Sequence, residues 1–132
     1  MIENSLRGRS RGDAIVSMSE AYRRWALAHP GRYAAAQRAP AAGDIDDEAA
    51  SRAAVEVVSE VLAGYDLRGD DAVDAIRAMR AALHGFVTLE ADDGFGLPVD
   101  VDRSFDRLVR GLVTAFASWS ESSGAQHGRR SR

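Results

Sequence analysis

The stretch AIRAMRAALHGFVTLEADDGFGLPVDVDRSFDRLVRGLV, residues 75–113, decides the fold. It predicts two apolar helices, about 70–90 and from Asp100 or Asp102 to about Ser118, joined by an acidic, glycine-rich turn. At 100° per residue, each helix has an apolar arc wider than the single stripe of a helix lying on one core. A second copy of the chain is the simplest cover for the outer side. The pattern therefore predicts a dimer sealed by a four-helix bundle.

Shorter helices precede this pair. A helix beginning near Ser10 to Asp13 carries an apolar stripe at three- and four-residue spacing, and Pro30-Gly31 breaks it. A short turn or helix over 32–37 and a helix over about 47–64 follow. Because no segment alternates with period two, we predict an all-α fold of five to six helices.

The ends of the chain differ in composition from its middle. Residues 1–12 and 119–132 are rich in Arg, Gly and Ser, and we expect them to be a disordered or residual linker and a disordered tail. The helical domain is then expected over 13–118. At 132 residues, one domain is the natural division.

Composition excludes several classes of function. The chain has no cysteine, so disulfides, thiolate catalysis and cysteine zinc sites are excluded. The net charge is −3, whereas a domain that grips nucleic acid carries a basic excess, so we expect this chain alone to bind DNA poorly. No apolar run approaches the roughly 20 residues of a membrane span, and we expect a cytoplasmic location without membrane contact.

The pair His84-Gly85 is a candidate for chemistry or for packing. His84 shares the polar arc of its helix with Arg77 and Arg80, and no carboxylate one turn away orients the ring, which favours a structural histidine over a general base. Contact with a ligand stays open. A glycine inside a helix costs about 1 kcal/mol relative to alanine, so Gly85 predicts close approach of another helix.

Metal and cofactor sites are not predicted. The run Asp100 to Asp106 resembles the start of a calcium loop, but Phe105 stands where that loop needs glycine and Gly111 where it needs glutamate. The three histidines lack zinc-ligand spacing, and no phosphate-binding glycine loop or hydrolase motif is present.

Met18, Tyr22 and Trp25 form an aromatic stripe on the first long helix. They are compatible with a filled core. They also suit a pocket for an apolar or aromatic molecule, because Tyr and Trp have polar ends that need partners and Met adapts its shape. Both interpretations stay open at this point.

Two segments, AYRRWALAHPGRYAAAQRAP at 21–40 and the stretch 75–113, resemble the C-terminal domain of tetracycline-repressor-type (TetR-family) regulators, in the subgroup called WHG. The shared features are an aromatic-rich helix running into H-P-G-x-Y, then L-H-G-F-x-x-L-E, G-F-G-L-P and an amphipathic last helix. The resemblance covers roughly 13–116. Arg80 stands where the subgroup has its tryptophan.

The resemblance implies a homodimer formed by the last two long helices and a small-molecule effector bound among the helices. Effector binding would change the spacing of two DNA-reading heads and lower operator affinity. Operator DNA would be contacted only through a helix-turn-helix that this chain lacks, so we expect an excised domain or a truncated gene product. The resemblance implies no cofactor and no catalysis.

The residues expected to carry these roles fall into two sets. The expected ligand-binding residues are Met18, Tyr22, Trp25, Tyr33, Val58, Leu62, Met79, Leu83 and Phe86. The residues expected to form the dimer and the packing of the helix pair are Ala78, Ala82, Gly85, Phe105, Leu108, Leu112 and Phe116.

Two rivals remain. One is a helical dimerisation module with a filled core and no ligand. The other is a small helical enzyme that uses His84 with Glu90 or an acid of the following turn.

Overall fold

The structure, a computed structural model, describes residues 2–37 and 59–130, and the side chains over 11–37 and 59–122. Every secondary-structure element in these ranges is a helix, which confirms the all-α prediction. Helices α1, α2, α3 and α4 span Ile2–Ala28, Pro30–Ala36, Asp70–Ala91 and Val101–Arg130. Residues 59–63 are also helical, in agreement with the end of the helix predicted over 47–64, most of which lies outside the described ranges.

Local sequence explains where the helices break. Pro30 occupies the first turn of α2, where its missing N–H costs nothing, and it ends α1 at Ala28. Gly69 precedes α3 with a φ of 60°, a left-handed conformation that glycine adopts at little cost. At the start of α4, the Asp102 N–H donates to Asp100 Oδ1 at 3.1 Å and so caps the helix.

Two predicted helix ends are wrong. Helix α1 begins at Ile2 rather than near Ser10, and α4 continues to Arg130 rather than ending near Ser118. The terminal sequences are polar and contain glycines, each of which costs a helix about 1 kcal/mol relative to alanine, but they contain no proline that would end an established helix. The division into a linker, a domain and a tail at 12 and 118 stays a prediction.

The core lies among α1, α3, α4 and the segment 59–67. Its aliphatic and aromatic members come from all four, and Tyr65 and Phe116 are the largest side chains that are fully buried. The cluster comprises Ile15, Leu62, Tyr65, Leu67, Ala75, Met79, Leu83, Phe86, Phe105, Val109 and Phe116. A smaller cluster of Ala26, Tyr33 and Val87 lies where α2 packs, and Tyr22 contacts it. Within the described ranges, no helix is both long and apolar enough to cross a membrane.

Candidate functional site

Three polar side chains from three helices form what we call the tyrosine–histidine chain: Tyr22 of α1, Tyr33 of α2 and His84 of α3. The hydroxyls of Tyr22 and Tyr33 are 2.5 Å apart, and the Tyr33 hydroxyl is 2.7 Å from His84 Nδ1. The two phenol rings meet edge to face, with centroids 5.6 Å apart. The break at Pro30 turns α2 back and thereby places Tyr33 between the other two residues.

The hydroxyls of this chain are held in their neutral form. Burial raises the pKa of Tyr33, and its hydrogen bond with Tyr22 raises it further, while the nearby Arg80 charge acts in the opposite direction. Burial also raises the pKa of Tyr22, against the hydrogen bonds of Tyr33 and the Gln37 side chain and the Arg80 charge. Both phenols therefore remain available to donate or accept hydrogen bonds at neutral pH.

The outer edge of the chain is aromatic and partly open. Trp25 is 42% exposed, and its ring centroid lies 6.3 Å from that of Tyr33 and 5.7 Å from that of His29. An exposed tryptophan beside two further rings provides an apolar surface on which an aromatic or apolar group can pack.

A concave surface that we call the basic hollow adjoins His84. It has a volume of about 310 Å³ and is lined by Gln37, Arg77, Arg80, Ala81 and His84. Arg80 donates to the backbone carbonyl of Gln37 at 3.2 Å, which connects α3 to the end of α2. The two arginines that sequence reasoning placed beside His84 therefore share a hollow with it.

The structure separates the expected ligand-binding residues into an inner and an outer group. Leu62, Met79 and Leu83 are at most 4% exposed and belong to the core, and Phe86 is nearly as buried. The outer group consists of the partly buried Met18 and Tyr22, the exposed Trp25, and Tyr33, which is 8% exposed in the smaller cluster, while Val58 lies outside the described residues. The inner group is packed as core, so the open surfaces lie at the outer group and the basic hollow.

The expected packing residues also divide. Phe105 and Phe116 are buried in the core of the chain itself, and Leu108, Leu112 and Ala78 pack partly against it. The close approach predicted at Gly85 is not made by any residue that the structure describes, because none lies within 4 Å of where its Cβ would be. Ala82 and Gly85 are half-buried, and contact of their helix with a second copy stays a prediction.

Sequence reasoning missed Arg23. Its guanidinium donates to both carboxylate oxygens of Glu90, at 2.8 and 2.6 Å, and lies 2.8 Å from Asp102 Oδ1. It also lies over the rings of Phe86 and Phe105, at 5.7 and 5.0 Å from the centroids. The hydrogen bond with Glu90 is the main cause that raises the pKa of Arg23. Only the partners on distant elements distinguish Arg23 from its exposed neighbour Arg24, so the sequence contained no local signal.

The Arg23 contacts bear on the enzyme hypothesis. Glu90, the first acid proposed as a partner of His84, is engaged by Arg23, and the hydrogen bond that orients the imidazole comes from Tyr33. The described residues contain no group of three or more His, Asp or Glu that could hold a metal ion. Beyond the guanidinium, a cleft of about 450 Å³ separates α1 from α4; its lining is Val16, Glu20, Arg23, Arg24, Leu27, Asp102, Phe105, Asp106 and Val109.

Comparison with known proteins gives two findings. Residues 15–112 match the family model described as tetracyclin repressor-like, C-terminal domain. The chain is 45% identical over 108 residues to an uncharacterised HTH-type transcriptional regulator of Mycobacterium tuberculosis. That alignment covers 80% of this chain and 49% of the regulator, so the chain spans about half the length of the curated relative it matches.

Proposed function

The chain belongs to the tetracyclin repressor-like C-terminal domain family, and from this premise we propose that it is the ligand-sensing and dimerisation domain of a TetR-type transcriptional regulator. The parent protein would contact operator DNA through a helix-turn-helix outside this chain, in the cytoplasm. A small apolar or aromatic effector would lower operator affinity by favouring a dimer whose DNA-reading heads no longer match the half-site spacing.

The observation that carries the proposal is that each of the last two helices has apolar surface that the described residues leave uncovered. Helix α3 buries one arc in the core and leaves a second, made of small residues and Leu89, which is 48% exposed. Helix α4 likewise buries Phe105, Val109 and Phe116, and it leaves Leu108 only partly buried and Trp119 36% exposed at the edge of the same apolar arc. Two such helices from each of two copies can close a four-helix bundle.

Sedimentation of a Gly111→Arg variant tests the dimer. Gly111 is exposed on α4, and no residue of the described part of the chain lies within 4 Å of where its Cβ would be, so we expect the fold to accommodate arginine there. We expect the wild type to sediment as a dimer and the variant as a folded monomer, because the new charge would enter the interface. Ala21→Arg on the exposed side of α1 is the matched control and should remain dimeric.

Leu112→Arg is a less specific version of the same test. Leu112 packs partly against the core, so arginine there disturbs the fold as well as the interface, and a monomer or aggregate is expected. A dimeric, well-folded Leu112→Arg protein would remove Leu112 from the proposed interface, and a dimeric Gly111→Arg protein would remove Gly111 from it.

Effector binding is supported by the outer group of aromatic residues beside the tyrosine–histidine chain. Hydroxyl and imidazole groups at the edge of an apolar surface are the usual means by which a pocket orients a small molecule. A thermal-shift screen of aromatic and lipophilic compounds tests this, because a ligand that prefers the native state raises the unfolding midpoint.

The dimerisation module without a ligand is the second candidate. It is favoured by the burial of Leu62, Met79 and Leu83, which fill space that an effector would otherwise occupy. Absence of a midpoint shift with every compound, in a chain that is dimeric, would select it. Neither candidate involves turnover, and a pH-dependent activity abolished by His84→Ala would contradict both.

A further inference from the structure

The basic hollow has an unusual charge arrangement. Arg77, Arg80 and His84 follow one another along one strip of α3, at spacings of three and four residues, and Gln37 closes the hollow from α2. Like charges one turn apart on a helix repel each other. Among the residues that the structure describes, neither arginine forms an ion pair with a carboxylate that would offset this repulsion.

The hollow is rich in hydrogen-bond donors. Each guanidinium carries five N–H groups, and Arg80 uses its Nη2 for the Gln37 carbonyl at 3.2 Å. Arg77 makes no hydrogen bond with any described residue, and it is exposed where it lines the hollow. A concave surface lined by two such cations favours a group with several oxygen acceptors and a negative charge.

The tyrosine–histidine chain adds a third donor. His84 Nδ1 is occupied by the Tyr33 hydroxyl at 2.7 Å, which leaves Nε2 as the ring nitrogen for a ligand in the hollow. When Tyr33 donates to Nδ1, Nε2 carries the proton; when the ring is charged, both nitrogens carry one. His84 therefore presents an N–H to an acceptor in the hollow when Tyr33 is the donor to Nδ1, whereas Nε2 is itself an acceptor when Nδ1 donates to Tyr33.

From these contacts we infer that the basic hollow binds the anionic head of the effector, a carboxylate, sulfonate or similar oxyanion, with Arg77 and Arg80 as its charged partners. The inference rests on the proposed function, which supplies a small molecule with an apolar or aromatic body. At about 310 Å³ the hollow is at the small end of ligand sites, which suits a head group.

A pair of fluorescent probes that share an aromatic skeleton tests the charge preference. Anilinonaphthalenesulfonate carries a sulfonate, and N-phenylnaphthylamine lacks it. Fluorescence titration of the full chain with each probe gives two dissociation constants. Since charge-assisted hydrogen bonds contribute roughly 1.5–3 kcal/mol, we expect the sulfonate to bind roughly tenfold to a hundredfold more tightly.

Variants assign the preference to the hollow. Arg77→Gln and Arg80→Gln should each reduce the ratio of the two constants at least several-fold. Arg107→Gln, an exposed arginine of α4, should leave it unchanged. Arg77→Gln keeps the inference testable if Arg80→Gln loses the contact with Gln37 and does not fold.

The outcomes distinguish failure of the anionic-head inference from failure of the proposed function. Equal binding of both probes, or a preference that survives both substitutions, overturns the anionic head and leaves the proposed function standing. Binding of neither probe overturns the inference, and the thermal-shift screen then decides separately whether the chain binds any small molecule.

Discussion

The tyrosines show how two side chains of one type can have opposite effects on stability. The Tyr33 hydroxyl has partners on both sides, whereas the Tyr65 hydroxyl is buried and has no hydrogen-bond partner among the described residues. A buried polar group with its partners stabilises modestly, and one without partners is a cost. The difference follows from contacts between elements, since Tyr33 and His84 are 51 residues apart.

We therefore expect Tyr33→Phe to destabilise the chain by about 1–3 kcal/mol, because it leaves Tyr22 and His84 without their shared partner. Tyr65→Phe is the matched control and should be neutral or slightly stabilising, because it removes an unpaired buried hydroxyl. Urea unfolding of both variants measures the two changes. Equal losses of stability in the two variants would show that the hydrogen bonds of the tyrosine–histidine chain do not stabilise the fold.

Gly85 illustrates how much of a site the sequence can predict. The free-energy cost of a glycine inside a helix predicts that another backbone approaches Gly85 closely. The sequence does not show whether that backbone belongs to the same chain or to a second copy. None of the residues over 2–37 and 59–130 fills the space beside Gly85. If a partner helix fills it, Gly85→Ala should weaken the dimer in sedimentation, even though alanine favours the isolated helix by about 1 kcal/mol.

Gly31→Ala in α2 is the control for that experiment, because no described residue lies within 4 Å of where its Cβ would be and α2 lies outside the proposed interface. It should leave the dimer unchanged. A Gly85→Ala protein that is more stable and equally dimeric would place the partner helix elsewhere.

At the scale of elements, Arg23 connects three helices. Its ion pairs join α1 to the end of α3 and the start of α4, and its guanidinium covers rings from both. Glu90 is mostly buried, whereas Asp102 is 78% exposed, so the first ion pair should matter much more than the second. The turn between the two long helices is thereby fixed to α1.

Arg23→Met should accordingly cost about 2 kcal/mol, because it leaves the Glu90 carboxylate mostly buried without its partner. Asp102→Asn should cost less than about 1 kcal/mol, and Arg24→Met, an exposed neighbour, about 0.5 kcal/mol or less. Urea unfolding gives all three values. A loss of stability in Arg24→Met as large as that in Arg23→Met would contradict the conclusion that the ion pairs of Arg23 connect the three helices.

Helices and their order could be predicted, because proline, glycine and apolar spacing are local signals. Pro30 and the turn after Glu90 mark predicted helix boundaries, and the observed boundaries lie within a few residues of them. The outer ends of α1 and α4 could not be predicted in the same way, because they contain glycines but no proline, and their polar composition suits both a solvated helix and a frayed tail.

At the scale of the whole molecule, the two sides of each long helix could not be assigned from the sequence. Phe105 and Leu108 belong to the same wide apolar arc, yet Phe105 is 3% exposed within the chain and Leu108 only partly buried. Which of two adjacent apolar stripes faces the chain's own core depends on how α1 packs. That packing depends in turn on contacts such as Arg23 with Glu90.

Alkaline pH should reveal the burial of the tyrosines in the molecule as a whole. The chain has neither lysine nor cysteine, so its three tyrosines and the terminal amine are the groups that titrate between neutrality and the range of arginine. Burial, the largest cause in each case, raises the pKa of Tyr22, Tyr33 and Tyr65 above the ordinary value of 10.0.

Because these pKa values are higher in the folded state, the stability they contribute is fully present below pH 10 and is lost as the pH rises through the folded pKa values. Above pH 10 the free energy of unfolding should fall by up to about 1.4 kcal/mol per pH unit for each tyrosine that stays protonated in the native state. Urea unfolding across this range, with tyrosinate absorbance recorded alongside, measures the slope. Tyr33→Phe should make the fall shallower, and an unchanged slope would show that Tyr33 ionises as readily in the folded chain as in the unfolded one.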